Sequence, residues 1–377
     1  MTGLSLFVFL AVLLVAYANG ANDIFKGVAT LYGGGVTNYR LALLWAVGTT
    51  LAGSLLAALL AESLIKTFSG SGLVPPSVLA DPSFVVAVAL GAALTVFFSA
   101  LAGIPISTTH ALAGALIGAG FMAARTELNL AVLGDKFFLP LAVSPLLSIA
   151  LVSSLFPLLR RTARRFGITG TSCICVSSVE TVMIVSNDGR AALGDVHREF
   201  ALVGSNASSC APAAASEKLW KLEVAPLLRK LHFLSAGAVS FARGTNDTPK
   251  IVGIALLAGA FHLQISVVLI AIVMAAGGLL HSRRIAETMA TRILPFDEAE
   301  GTLANLVMSF LVIVASQFGM PVSTTHVSVG SLFGLGISKG RAHWDVVSGI
   351  ALSWLLTLPV AMAAAALIFI FVRHLGL

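Results

Sequence analysis

Four short polar runs stand inside otherwise apolar sequence, and they come as two pairs. Asn22-Asp23, with Lys26 three residues on, is matched by Asn246-Asp247 with Lys250. Ser107-Thr108-Thr109-His110, after Gly103 and Pro105, is matched by Ser323-Thr324-Thr325-His326, after Gly319 and Pro321. Asn22 to Asn246 is a step of 224 residues and Ser107 to Ser323 one of 216, so the runs recur in the same order at nearly the same spacing. Such recurrence marks a duplication. An ionisable side chain within a membrane span is costly and marks a transport path, and paired interruptions in two halves point to a substrate site between them.

The two kinds of run suit different chemistry. A helix that begins at a buried break presents unpaired backbone N–H groups and the positive end of its dipole, both of which favour an anion. Pro105 and Pro321 suit the start of such helices. Ser107, Thr108, Thr109, Ser323, Thr324 and Thr325 add hydroxyl donors without adding charge. Two such helix starts facing each other would hold a small tetrahedral oxyanion through neutral donors. Capping and interhelical packing are the plainer roles for one such run, and its duplication favours the ligand. Asp23 and Asp247 suit a coupling ion: Na+ coordination, a hydrogen bond from a protonated oxyanion, or carriage of a proton. Asn22 and Asn246 offer a carbonyl to a cation and an amide donor to a substrate. Lys26 and Lys250, about one helical turn on, suit either pairing with the Asp or attraction of the anion. His110 and His326 fit hydrogen-bonded helix residues better than proton carriers or metal ligands.

These residues need a membrane-embedded scaffold. Of the 377 residues 57% are hydrophobic and 11% charged, against roughly 25% charged in a soluble domain. The length accommodates about ten spans of ~20 residues. The net charge of +6 comes from short basic runs beside apolar segments, which suits orientation and anionic lipid headgroups rather than nucleic acid. Cys173, Cys175 and Cys210 form neither a zinc pattern nor a disulfide framework. The apolar start has no basic flank or cleavage signal and reads as a retained first span.

The pattern predicts an all-α polytopic membrane protein of two halves, residues 1–165 and 231–377, joined by an extramembrane stretch over 166–230. In the first half, spans cover 3–32 (interrupted at Asn19 to Asp23), 41–61, 83–101, 107–121 and 137–159. In the second they cover 231–259 (again broken at its Asn-Asp run), 262–280, 300–317, 324–336 and 346–372. The count rises from ten towards twelve if an interrupted span is two elements. A short strand pair within 173–185, turning at Asn187-Asp188-Gly189, is expected between the halves. A loose Ser/Ala-rich run over 205–216 and an amphipathic approach over 220–229 follow it. By the positive-inside rule Arg160–Arg165 and Arg283–Arg284 lie in the cytoplasm, as does the 166–230 loop, and both termini lie outside. Five crossings per half then place the halves in opposite orientations, an inverted-topology repeat. The small-residue faces at 111–120 and 327–336 suit packing within the chain or against a second copy in a homodimer.

Both halves resemble the inorganic phosphate transporter family, the Pit type of low-affinity phosphate permeases. Its Gly-x-Asn-Asp signature matches Gly20 to Asp23 and Gly244 to Asp247, and its Pro-x-Ser-Thr-Thr-His element matches Pro105 to His110 and Pro321 to His326. The resemblance implies a secondary active transporter in the plasma (cell inner) membrane. It would import inorganic phosphate by symport with Na+ or H+, alternating access around a site between inverted repeats, without a cofactor and without enzymatic activity. It carries phosphate binding to Asn22, Asp23, Thr108, Thr109, Asn246, Asp247, Thr324 and Thr325. Arg243 stands where the first motif has Asn19, a departure that makes the site asymmetric and biases it towards anions. A sulfate or other tetrahedral-oxyanion permease is the alternative. A channel fits two inverted, interrupted halves less well. An intramembrane hydrolase fits poorly too, because catalytic sites are seldom duplicated by symmetry.

Overall fold

Apolar runs of span length, punctuated by capping residues, divide the chain into helices. The computed structural model describes residues 3–170, 172–187, 190–206, 218–259, 261–291, 297–340 and 344–375. α1 (Gly3–Asp23) passes into a 3-10 turn, Ile24–Gly27, and a short α2 (Ala29–Gly33). Asn38 caps α3 (Tyr39–Leu60), its side chain accepting from the Leu41 amide at 2.9 Å. Short α4 (Glu62–Phe68) and α5 (Pro76–Leu79) lead to α6 (Pro82–Leu101), capped by Asp81. After a break come α7 (Thr108–Ala124), one-turn α8 (Leu130–Leu133) and α9 (Leu139–Arg165). Strands β1 (Ser172–Asn187), β2 (Arg190–Asn206) and β3 (Lys218–Glu223) precede α10 (Val224–Leu257). α11 (Leu263–His281), α12 (Arg283–Thr291), α13 (Glu298–Gln317), α14 (Thr324–Lys339) and α15 (Trp344–His374) complete the chain.

Contacts divide the chain into two units, Met1–Phe156 with His232–Leu377, and Pro157–Leu231. The described elements of the first are all helices. Among the described residues, seven stretches are long and apolar enough to cross a membrane, in α1, α3, α6, α9, α11, α13 and α15. α7 is apolar but shorter. α10 carries Arg243, Asp247 and Lys250 along its length, and α14 has 16 residues. These ten helices occupy the ten segments that the hydropathy pattern predicts. The second unit contains a sheet of order β2-β1-β3, in which β1 pairs antiparallel with both neighbours.

Several local expectations are corrected. α1 stays helical through Asn19 to Asp23 and leaves α-geometry only at Ile24. The second Asn-Asp run lies within unbroken α10, which even accommodates Pro249. The interruptions that persist are 102–107 and 318–323, at the Gly-x-Pro runs. Pro105 and Pro321 stand two residues before the capping serines, not in the helices, because Ser107 and Ser323 take the cap positions. The strand pair is longer than expected, and Trp220 lies in β3 rather than on a helical approach. Asp188 and Gly189 of the expected turn, and most of the 205–216 run with Cys210, lie outside the described residues.

The small residues are consumed inside the bundle. A Cβ on Gly114 or Gly118 would come within 2.4 Å of the Leu358 carbonyl oxygen or 2.1 Å of that of Met362, on α15. A Cβ on either of their counterparts, Gly330 and Gly334, would lie 2.9 Å from the carbonyl oxygen of Pro145 or of Ile149 on α9. Each small-residue helix therefore packs on the last helix of the other half. Close backbone approach at small residues is how apolar helices associate where hydrophobic burial supplies no drive.

Candidate functional site

The Asn-Asp runs sit where they do because of the glycines two residues before each Asn. A Cβ on Gly20 would lie 1.8 Å from the Met274 oxygen on α11, and one on Gly244 2.3 Å from the Thr50 oxygen on α3. Only glycine lets α1 and α10 approach those helices, and the approach turns Asn22, Asp23, Asn246 and Asp247 inward. All four are at most 4% exposed.

Opposite them lie the two breaks. Ser107 caps α7 by accepting from the His110 amide at 3.1 Å, and Ser323 caps α14 by accepting from the His326 amide at 3.2 Å. The preceding carbonyls, Ile106 and Val322, belong to no helix and become acceptors. Asn22 Nδ2 donates to Ile106 O at 2.8 Å and Lys26 Nζ at 2.8 Å. In the other half Asn246 Nδ2 donates to Val322 O at 3.3 Å and Lys250 Nζ at 2.9 Å. Lys26 also donates to Thr325 Oγ1, and Lys250 to Thr109 Oγ1, each at 2.7 Å. Thr325 in turn donates to Ile106 O at 3.0 Å, and Thr109 to Val322 O at 3.2 Å. The same bonds thus occur twice, each lysine reaching from its own half to a threonine of the other.

The carboxylates break this symmetry. Asp23 Oδ2 accepts from Asn19 Nδ2 at 2.9 Å and Thr108 Oγ1 at 2.7 Å, while Oδ1 accepts from Asn22 at 3.2 Å and Thr325 Oγ1 at 3.3 Å and pairs with Lys26 at 2.5 Å. Arg243 adds Nε to the Asp23 backbone oxygen at 3.1 Å and Nη2 at 3.5 Å from Oδ1. Asp247 Oδ1 accepts from Asn246 at 3.0 Å and Lys250 at 3.1 Å, and Oδ2 carries no hydrogen bond among the described residues. The hydroxyl of Thr324, counterpart of Thr108, likewise has no partner among them. Among the described residues, Oδ1 of Asn19 and of Asn22 are buried and unpartnered, and Nη1 and Nη2 of Arg243 make no hydrogen bond. Lys26, Lys250 and Arg243 pair, among the described residues, only with Asp23 and Asp247, three cations against two carboxylates, all buried. When all are ionised, one positive charge is left uncompensated in a setting where uncompensated charge is costly.

The structure places the remaining predicted residues around this core. His110 Nδ1 meets its own cap, Ser107 Oγ, at 2.8 Å, and the His110 and His326 rings lie 4.4 Å apart, with His326 stacked on Trp354. Both line a cavity of about 440 Å³ with Phe138 and Pro145, away from the carboxylates. Among the described residues no three His, Cys, Asp or Glu side chains cluster to hold a metal.

Sequence reasoning missed three features. Asn19, a turn before Asp23, is one of its direct partners. Ser316 donates to Asn246 Oδ1 at 3.1 Å from within α13. The short helices flanking the spans clamp the breaks: Ser63 and Thr67 of α4 donate to the Gln317 and Gly319 oxygens at 3.3 Å each. Arg284 and Thr288 of α12 donate likewise to Leu101 and Gly103, Thr288 at 2.8 Å. The signal for the clamps was present in the equal spacing of Ser63 and Thr67 with Arg284 and Thr288. Differing residue types concealed it.

Known proteins resemble this chain in sequence and in fold. A profile of the phosphate transporter family matches residues 19–365. A relative in Pyrococcus abyssi named as a phosphate permease is 25% identical over 390 residues, covering 95% of each chain. One in Mycobacterium tuberculosis, named as a probable low-affinity inorganic phosphate transporter, is 26% identical over 391 residues, covering 99% of this chain and 79% of the relative. A solved structure titled "The sodium-dependent phosphate transporter" superposes with a TM-score of 0.75 at 18% identity, covering 99% of this chain and all of the other. With a match that takes in both Asn-Asp runs and both Ser-Thr-Thr-His runs, the chain belongs to the phosphate transporter family.

Proposed function

We propose that the protein imports inorganic phosphate across the plasma membrane by symport with Na+, alternating access to a site between two inverted halves, residues 1–165 and 231–377. The observation that carries this reading is the buried cluster of three cations and two carboxylates, linked across the halves by Lys26–Thr325 and Lys250–Thr109. Its surplus positive charge suits an anion. The Arg243 Nη groups and the Thr324 hydroxyl are donors for phosphate oxygens, and Asp247 Oδ2 is an acceptor for the proton that phosphate retains. Thr109 and Thr325 join them once the lysine bonds open, and Thr108, Asn22 and Asn246 once they exchange their bonds to the carboxylates and break carbonyls for the anion, while Ser107 and Ser323 hold the helix starts as caps. Na+ is favoured over H+ because the unpartnered Asn19 and Asn22 oxygens beside Asp23 are hard neutral ligands for a cation. The sodium dependence named for the structural neighbour agrees. Asp247 with Asn246 is the corresponding cation position in the other half. Lys26 and Lys250 act as internal counter-ions that hold the halves together when the site is empty.

The 166–230 stretch lies in the cytoplasm on this reading. The small-residue faces are occupied within the chain, so a homodimer would use other surfaces. Reconstituted protein should take up radiolabelled phosphate under an inward Na+ gradient, and replacing Na+ by choline at fixed pH should stop uptake. Undiminished uptake in choline would remove Na+ as the coupling ion. Absence of phosphate uptake under either a Na+ or a proton gradient would remove the substrate assignment.

A further inference from the structure

At the junction of α2, α3 and α12 is a cavity of about 520 Å³ lined by Tyr32, Asn38, Tyr39, Arg40, Leu41, Leu44, Arg283 and Glu287. Arg40 and Arg283 come from opposite halves of the sequence, and charge counting along the chain puts both on the cytoplasmic side. Arg283 is steadied by Glu287, Nε to Oε1 at 3.3 Å, with its side chain still 80% exposed. Arg40 has no hydrogen-bond or ionic partner among the described residues, and neither does the Tyr32 hydroxyl. One side of the cavity is therefore cationic and rich in donors. The other is Leu41 and Leu44, 49% and 61% exposed on the outer face of α3, and Leu55, Leu56 and Leu59 continue that exposed face along the helix.

We propose that this cavity is a binding site for an anionic glycerophospholipid of the cytoplasmic leaflet. The phosphodiester would lie between Arg40 and Arg283 with the Tyr32 hydroxyl as a further donor, and an acyl chain would run along Leu41 and Leu44. Two features together select a lipid over a free anion. The lining joins a charged end to an apolar end, and the apolar end is continuous with the exposed flank of a membrane-crossing helix. Basic pockets between membrane helices are general sites for anionic headgroups. The site also communicates with the buried cluster. Tyr39 stacks on Phe25 with ring centroids 5.0 Å apart and planes 17° apart, and its hydroxyl lies 3.2 Å from Ser282 Oγ. Phe25 adjoins Lys26 in the 3-10 turn Ile24–Gly27. A lipid resting on Tyr39 therefore bears on the turn that holds Lys26 against Asp23.

The test is equilibrium binding of fluorescently labelled phosphatidylglycerol to the purified full-length protein in detergent. Unlabelled phosphatidylglycerol should displace the probe at concentrations at least tenfold lower than phosphatidylcholine. Inorganic phosphate at millimolar concentration should not displace it. The double variant R40Q/R283Q should bind the probe at least tenfold more weakly, and R40K/R283K should retain most of the affinity. Equal displacement by phosphatidylcholine would overturn headgroup recognition, and displacement by inorganic phosphate would make the cavity a free-anion site. Unchanged binding by R40Q/R283Q would place the lipid elsewhere. The wild-type competition stands on its own if that variant fails to fold, and none of these measurements depends on which anion is transported.

Discussion

Lys250 Nζ donates to Thr109 Oγ1 at 2.7 Å, joining α10 of the second half to α7 of the first. Lys26 makes the same bond in the opposite sense, to Thr325, at the same length. A bond that exists twice by duplication has two equal parts in holding the halves closed. Thr109→Val and Thr325→Val each remove one acceptor from a buried ammonium, a loss of about 1–3 kcal/mol. Each should lower the midpoint of thermal unfolding in detergent by a similar amount, and each should reduce phosphate uptake. A large effect from one and none from the other would show that the lysines do not act as a pair.

The carboxylates should differ where the lysines agree. Among the described residues Asp23 is held by Asn19, Asn22, Lys26, Thr108, Thr325 and Arg243, and Asp247 only by Asn246 and Lys250. Removing one partner of a buried ion pair costs about 3–5 kcal/mol, and Asp23→Asn strips the counter-charge from two cations at once. Asp23→Asn should therefore destabilise the protein more than Asp247→Asn in a size-exclusion thermal assay. Both should abolish coupled uptake. Full uptake by either variant would make that carboxylate structural.

Much of this was legible in the sequence because membrane insertion forbids accidental charge. Asp23, Lys26, Asp247 and Lys250 had to be paired or functional, and their spacing allowed the pairs without deciding between pairing and attraction of an anion. The ten helices followed from hydropathy. Where α-geometry ends did not follow, because Asn19 to Asp23 has poor helix formers whose cost is offset by bonds to distant residues such as Thr108. Pro249 in α10 was illegible for the same reason. The contacts of Arg243 and the clamping by α4 and α12 depend on side chains far apart in sequence, which no local pattern records. The packing of Gly118 on Met362 resolves a choice between internal and intermolecular faces that composition leaves open.

Arg243 stands where the first half has Asn19, which makes Arg243→Asn the substitution that restores sequence symmetry. It leaves two cations against two carboxylates. Charge-assisted hydrogen bonds contribute about 1.5–3 kcal/mol each, so the phosphate concentration for half-maximal uptake should rise roughly ten- to hundredfold. The maximal rate should change less. An unaltered half-saturation would take Arg243 out of anion binding and leave it as a partner of Asp23 alone.

The orientation can be tested without transport. With Cys173, Cys175 and Cys210 replaced, Phe200→Cys places a thiol on β2. On the proposed topology a membrane-impermeant maleimide should label it in inverted vesicles and not in intact cells. Labelling from outside would reverse both termini and move Arg160–Arg165 to the exterior.

Substrate choice rests on one unpaired acceptor. Asp247 Oδ2 meets no donor among the described residues, and an ionised carboxylate can only accept. Phosphate near neutral pH keeps at least one O–H and can donate it there, as can arsenate, whereas sulfate presents bare oxygens to the carboxylate. Leaving the acceptor unpaired in a buried site costs about 1–3 kcal/mol, which is roughly ten- to a hundredfold in affinity. In liposomes taking up radiolabelled phosphate, excess arsenate should therefore compete nearly as well as unlabelled phosphate, and sulfate at least tenfold less well. Asp247→Asn supplies an amide that can donate as well as accept, so residual binding by that variant should discriminate less against sulfate. Binding of labelled phosphate and sulfate to purified protein measures this even where uptake is lost. If wild-type protein binds sulfate as tightly as phosphate, the substrate is a wider class of tetrahedral oxyanion and Asp247 Oδ2 does not face it.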